Sequence, residues 1–192
     1  GLSLFPVADP RGTLTSAVPE VRRLVPINKY DNRVAFVVNW GRMDPERVSV
    51  TLVTPLCEVI TPAVARRDRN LFYDAKLNYA VYIVNHDFLH NAADPANPRF
   101  GEWTLIISGN GLGDRGGSEI YDYEVLLDSR IKMDVSTEKA VYFAGDAIQV
   151  NAFVHLDGLG IPGAKVTLRV TAPGQSFSKF LAFNRVRIGP CG

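Results

Sequence analysis

The sequence predicts an all-β chain built as two β-sandwiches in tandem, and three observations lead to that expectation. Apolar residues recur with period two in one segment after another. No stretch of a dozen residues carries a convincing helical period. The strand pattern also stops and restarts between Asp128 and Arg130. With 192 residues and 46% hydrophobic content, the chain suffices for one large domain or two small ones. The expected domains are residues 1–128 and 131–192.

In "VAFVVNW", Val34, Phe36, Val38 and Trp40 share one face of a strand, leaving Ala35, Val37 and Asn39 on the other. "RVSVTLV" turns Val48, Val50 and Leu52 inward, against Arg47, Ser49 and Thr51 outward. "PAVARRDRN", after Thr61, is the best candidate for a helix. "YAVYIV" (79–84) is apolar on both faces, as a strand covered on both sides would be. "EWTLIIS" offers Trp103, Leu105 and Ile107 to the core, and "YDYEVLL" offers Tyr121, Tyr123, Val125 and Leu127. In all, roughly seven or eight strands are expected before residue 129, about one sandwich.

The second domain opens on "LLDSRIKMDV", where Ile131, Met133 and Val135 alternate. Ile148, Val150, Ala152, Val154 and Leu156 then form an inward set, opposed by Gln149, Asn151, Phe153, His155 and Asp157. After the connection "DGLGIPGA", Val166, Leu168 and Val170 resume the inward phase, while Lys165, Thr167, Arg169 and Thr171 face out. This domain is short of the roughly 100 residues of a complete seven-stranded sandwich. Its ending, "FNRVRIGPCG", does not read as a natural terminus, so a truncated domain from a longer protein is expected.

Charge is nearly balanced, with 21 basic and 20 acidic side chains and a net charge of +1. That balance argues against a broad surface for nucleic acid or anionic membrane. No apolar stretch approaches the roughly 20 residues of a spanning helix, so direct membrane insertion is not expected. Cys57 and Cys191 lie far apart in sequence, and whether they pair is left open. Without a CxxC pair or a third thiol, they do not make a metal site.

Local patterns with possible chemistry each meet a structural alternative. "GLGDRG" (111–116) matches GxGxxG, but period-two "SEIYDYEVLL" follows it, so no helix N-terminus is available to hold a pyrophosphate. A hairpin loop is the expectation. "HDFLH" places His86 and His90 four apart with Asp87 between them, one step from the zinc pattern HExxH. Strand-like "YAVYIVN" before it and "NAADPANP" after it leave room for barely one helical turn, so loop histidines are expected. Asp87, Asp94, Asp114, Asp122 and Asp128 are potential calcium ligands without EF-hand spacing, and read as turn formers. Arg66, Arg67 and Arg69, with Asp68 among them, read as a solvated turn. Trp40, Trp103, Tyr73 and Tyr82 are conceivable sugar platforms, yet both tryptophans fall on core phases. "GQSFS" (174–178) lacks the last glycine of a nucleophile elbow, and no P-loop is present. No catalytic, cofactor-binding or metal-binding residue is assigned, and no cofactor is expected.

"YFAGD" with Tyr142, Gly145 and Asp146, then Gly160, Pro162, Gly163, Ala164 and Val166, resembles the immunoglobulin-like segments of large extracellular proteins. "VAFVVNWGRMDPERVSVTLVTP", "YAVYIVN" and "FGEWTLIISGN" are similar to the sandwich that follows a von Willebrand factor type A domain, as in the calcium-activated chloride channel regulator family. "GEWTLII" also resembles the jelly-roll P-domain of subtilisin-like proteases. These likenesses imply a first sandwich that is jelly-roll or immunoglobulin-like and a second that is immunoglobulin-like. They also imply a secreted, periplasmic or cell-surface setting, and no reaction. The type A metal-adhesion motif DxSxS is absent from the sequence, so no site residue carries over. The expected role is a non-catalytic structural or interaction module that supports an adjoining domain. Its partners would be the neighbouring domains of the same protein and a protein ligand, with no nucleic acid. The alternatives are a carbohydrate-binding or a P-domain-like accessory module of a secreted hydrolase.

Overall fold

Each alternating segment singled out before residue 129 becomes a strand whose apolar phase is buried. A computed structural model of the protein describes residues 3–4, 11–112, 117–143 and 146–166. The chain divides into two units, Gly1–Arg130 and Ile131–Gly192. The architecture is all-β and antiparallel throughout. Among the described residues no helix is long and apolar enough to cross a membrane.

The described part of the first unit runs β1 (Ser3–Leu4), β2 (Arg11–Leu14), β3 (Glu20–Ile27), β4 (Asp31–Trp40), β5 (Val48–Val53), β6 (Val59–Ile60), α1 (Pro62–Ala65), β7 (Leu71–Ala75), β8 (Tyr79–Asn85), α2 (His86–Leu89), β9 (Gly101–Gly109) and β10 (Glu119–Ser129). One sheet has the order β1-β10-β4-β8-β7, with β2 also paired to β10; the other is β3-β9-β5-β6. Their inner faces form a single core. Val34, Phe36, Val38 and Trp40 of β4 join Val48, Val50 and Leu52 of β5, Trp103, Leu105 and Ile107 of β9, and Tyr121, Tyr123, Val125 and Leu127 of β10. Phe36 and Trp103 stack with ring centroids 6.0 Å apart. The Tyr82 hydroxyl of β8 crosses the core and donates to the Val50 carbonyl of β5 at 2.8 Å, fastening one sheet to the other. Each such large side chain, fully buried, contributes about 1.5–3 kcal/mol by removal of apolar surface from water.

Three expectations change, and one strand had not been foreseen. The helix expected from "PAVARRDRN" is one turn, Pro62–Ala65, started by the Thr61 hydroxyl accepting from the Val64 amide. A proline suits the first turn, but Asp68 bonds the Asn70 amide instead and turns the chain into β7. β8 is covered on one face only: Ala80, Tyr82 and Val84 are buried, whereas Val81 and Ile83 are half-buried on the outside. They continue an apolar outer row, Phe72–Ile83–Ala35–Leu126, fixed by the strand registers. The "GLGDRG" segment does not close a hairpin, because β9 and β10 belong to different sheets; Leu112 is buried, and residues 113–116 lie outside the described residues. β3 is a strand that alternation did not single out. Its Glu20, Arg22, Arg23 and Pro26 obscure the apolar phase, and the structure puts it at a sheet edge.

In the second unit β11 (Ile131–Thr137) pairs with β12 (Val150–Leu156), and β12 with β13 (Leu159–Gly160). The register sets Ile131 opposite Leu156, Met133 opposite Val154 and Val135 opposite Ala152, so these residues share a face as expected. Burial does not follow. Met133, Val135 and Ala152 are exposed, Val150, Val154 and Leu156 are half-buried, and Ile148 precedes the strand. Among the described residues of this unit a single three-stranded sheet stands without a second layer to cover its face. The expected connection "DGLGIPGA" opens on a tight hairpin. Asp157 and Gly158, at φ +51° and +85°, form a two-residue turn between Leu156 and Leu159. The Gly158 amide donates to His155 Nδ1, which leaves the His155 Nε2 proton to meet Asp134 at 3.1 Å. The strand expected to carry Leu168 and Val170 falls outside the described residues, as does "GQSFS".

Candidate functional site

The chemistry-bearing residues of the first unit gather in loops at the two ends of β5 and β9. At the end where β5 starts and β9 finishes, Glu119 is buried on the inward phase of β10. Its Oε1 accepts from the Gly41 and Arg42 amides at 2.9 and 3.0 Å. Its Oε2 faces the Nε atoms of Arg47 and Arg42 at 3.5 and 3.6 Å. The Arg47 guanidinium goes on to the carbonyls of Asn110 and Gly111, and the Asn110 side-chain amide donates to the Glu46 carbonyl. One carboxylate thus draws together the β4–β5 and β9–β10 connections. The Trp40 indole N–H adds a bond to the Asp44 carbonyl.

At the other end, Glu58 in the β5–β6 turn makes a two-pronged bond to Arg99, from Nε to Oε2 and from Nη2 to Oε1. Arg99 also donates to the Phe88 carbonyl, lies over the Phe88 ring, and receives the Trp103 indole N–H on its own carbonyl. Hydrogen bonding to Arg99 holds the Glu58 carboxyl below its ordinary range, against the opposing effect of burial. The Arg99 contact therefore favours the carboxylate form of Glu58. Its role is to tie the β5–β6 turn to α2 and the loop before β9.

The histidine pair sits on α2, a single turn as its flanks require. The His86 and His90 rings stack face to face, centroids 3.8 Å apart and planes within 22°. Lone pairs on an imidazole lie in the ring plane, so stacked rings send them side by side rather than toward a common ion. Burial, then the neighbouring His86, lowers the His90 pKa, while Asp87 acts against them. Phe100 meets the His90 ring edge-on at 4.7 Å. This is an aromatic stack that closes the loop over the core.

The suggested calcium ligands disperse. Asp87 lies beside His86, Asp94 accepts from the Asn97 side-chain amide, Asp122 accepts from Asn39, and Asp114 is outside the described residues. Among the described residues no three His, Cys, Asp or Glu side chains gather as metal ligands. Arg67 and Arg69 flank a shallow depression with Val64, Asp68 and Asn70, while Arg66 lies over the Tyr73 ring. The rings weighed as sugar platforms are spent on packing: Trp40, Trp103 and Tyr82 are buried, and Tyr73 packs against Tyr82 at 4.7 Å. Cys57 is an exposed thiol at φ +63° in the β5–β6 turn, and Cys191 lies outside the described residues.

Sequence reading missed both loop fastenings. Glu58 and Arg99 carry no mutual signal, being 41 residues apart. Glu119 did leave one, since it shares the parity of Tyr121, Tyr123 and Val125 and so puts a carboxylate on a core phase. In comparisons with known proteins, no family model matches the chain, and no curated protein matches it.

Proposed function

We infer that the chain is a non-catalytic module of a larger secreted, periplasmic or surface protein, and that it supports and presents an adjoining domain. The observation that carries this reading is where the buried and half-buried charges are used. Glu119, Arg47, Glu58 and Arg99 each bind the backbone or side chains of loops, at both ends of the same two strands. Charges used in this way give a stiff body with fixed ends, which suits a spacer between other parts. The likeness to the sandwich after a von Willebrand type A domain agrees with that role and with an extracellular setting. The packed tryptophans give the carbohydrate-binding alternative no support.

The test is made in the full-length protein, replacing residues 11–166 by a glycine–serine linker of similar end-to-end reach. The adjoining domain should keep its own fold and intrinsic binding, but lose most of its activity in the assembled protein. Full activity with the flexible linker in place would overturn the supporting role.

A further inference from the structure

We propose that the open edge of β7 is a docking site for an extended segment of a partner protein, added as an antiparallel strand with acidic residues at its C-terminal end. The proposal rests on the reading of the chain as a module that contacts a neighbour, and it names the surface and the form of that neighbour.

The argument begins with the four edges of the first sandwich. β6 is only two residues long, and β3 carries Pro26 and several charges. The edge beyond β10 is occupied by two short strands, β1 and β2. Short, charged or proline-bearing edges discourage pairing with another chain. β7, Leu71-Phe72-Tyr73-Asp74-Ala75, has no proline, is rich in aromatic residues, and carries a single charge, Asp74, which accepts from the Tyr79 hydroxyl and lies 3.8 Å from the Lys76 ammonium.

The bonds around β7 show which of its backbone groups point away from β8. The Asn85 amide donates to the Asn70 carbonyl, and the Lys76 amide donates to the Tyr79 carbonyl. Antiparallel pairs alternate, so residues 70, 72, 74 and 76 bond to β8 while 71, 73 and 75 face the other way. The Leu71 amide is taken by the Asp68 carbonyl. The amides and carbonyls of Tyr73 and Ala75, and the Leu71 carbonyl, find no hydrogen-bond partner among the described residues. This spacing of donors and acceptors is what an extended backbone matches.

Side chains add direction. Phe72 is 50% exposed at the end of the outer apolar row, where an added strand would extend that row by one residue. The depression flanked by Arg67 and Arg69 lies immediately before Leu71, at the N-terminal end of β7. Asp68 also lies there, but its carboxylate accepts from the Asn70 amide, and the site keeps a net positive charge. An antiparallel partner strand ends beside those arginines, which favours carboxylates at its C-terminal end.

The test uses the full chain and a synthetic peptide of about seven residues, enough to span a strand of this length. The peptide alternates threonine and valine and ends in two glutamates. Its controls are a version N-methylated on the amides that would face β7, and one ending in two lysines. Binding is read by fluorescence anisotropy, and the contact by hydrogen exchange of individual amides. The expected result is saturable binding of the glutamate peptide with new protection of the Tyr73 and Ala75 amides. The N-methylated form should not bind. The lysine form, and the Arg67→Glu/Arg69→Glu variant with the glutamate peptide, should each bind about tenfold more weakly. Absence of saturable binding would overturn the proposal, as would equal binding of the N-methylated peptide or protection confined to β3. Because the linker replacement removes the whole module whereas the peptide probes the edge of β7 alone, a failed peptide test with loss of activity in the linker experiment would remove the docking site and leave the supporting role standing.

Discussion

Glu119 shows most clearly how one side chain is used. A buried carboxylate is costly unless it is paired and hydrogen-bonded, and this one meets two amides and two guanidinium groups. Glu119→Ala leaves the Arg42 amide without its acceptor, the Gly41 amide with the Ile120 carbonyl alone, and the largely buried Arg47 guanidinium without its counter-charge, and should cost about 3–5 kcal/mol. Glu119→Gln keeps an acceptor for the amides but loses the charge, and should cost about 1–3 kcal/mol. Urea unfolding with an unchanged m-value measures both; a cost below about 0.5 kcal/mol for Glu119→Ala would show that the carboxylate does not fasten the loops. Tyr82→Phe is a milder case, removing only the bond to Val50 between sheets, for about 1 kcal/mol. Neither the full burial of Tyr82 nor its hydroxyl partner was legible, because "YAVYIV" is apolar on both faces and parity does not say what a side chain meets across the core.

Among the elements, the strands of the core were the most legible, and the loops and edges the least. β4, β5, β9 and β10 bury the phases that alternation assigns to them, since each must hide one apolar face. β3 escaped notice because an edge strand needs charges and proline, the same residues that erase alternation. The Asp157-Gly158 turn carries a known two-residue hairpin signal, but in the sequence all of "DGLGIPGA" reads as one turn, which hides the short strand at Leu159 and Gly160. The loop around α2 yields a pH dependence. Folding lowers the pKa of His90, so the unfolded chain binds more protons as pH falls through the ordinary imidazole range, and stability drops there. Glu58 is lowered as well, so its contribution is present above the ordinary glutamate range and is lost as pH falls toward its folded value. Solvent screening keeps the Glu58 part below about 1 kcal/mol, since its side chain is 42% exposed. His90→Gln should flatten the melting temperature between about pH 7 and pH 5, and Glu58→Gln should flatten it below that. An unchanged slope between pH 7 and pH 5 in His90→Gln would remove His90 as the cause.

For the whole molecule, an antiparallel sandwich and a second unit, whose described residues form a three-stranded sheet, follow one another along the chain. The change of pattern near Asp128 to Arg130 was visible in the sequence because Ile131, Met133 and Val135 begin a new alternation. Function was far less legible: the motifs that resemble active sites depend on helices, and period-two segments surround them. The central proposal is a supporting module that carries out no reaction of its own. Its most direct test is steady-state turnover of ester, peptide, glycoside and phosphomonoester substrates by the full chain, with and without added divalent metal ions. No turnover above buffer is expected under any condition, and turnover abolished by His86→Ala or Glu58→Gln would contradict the claim.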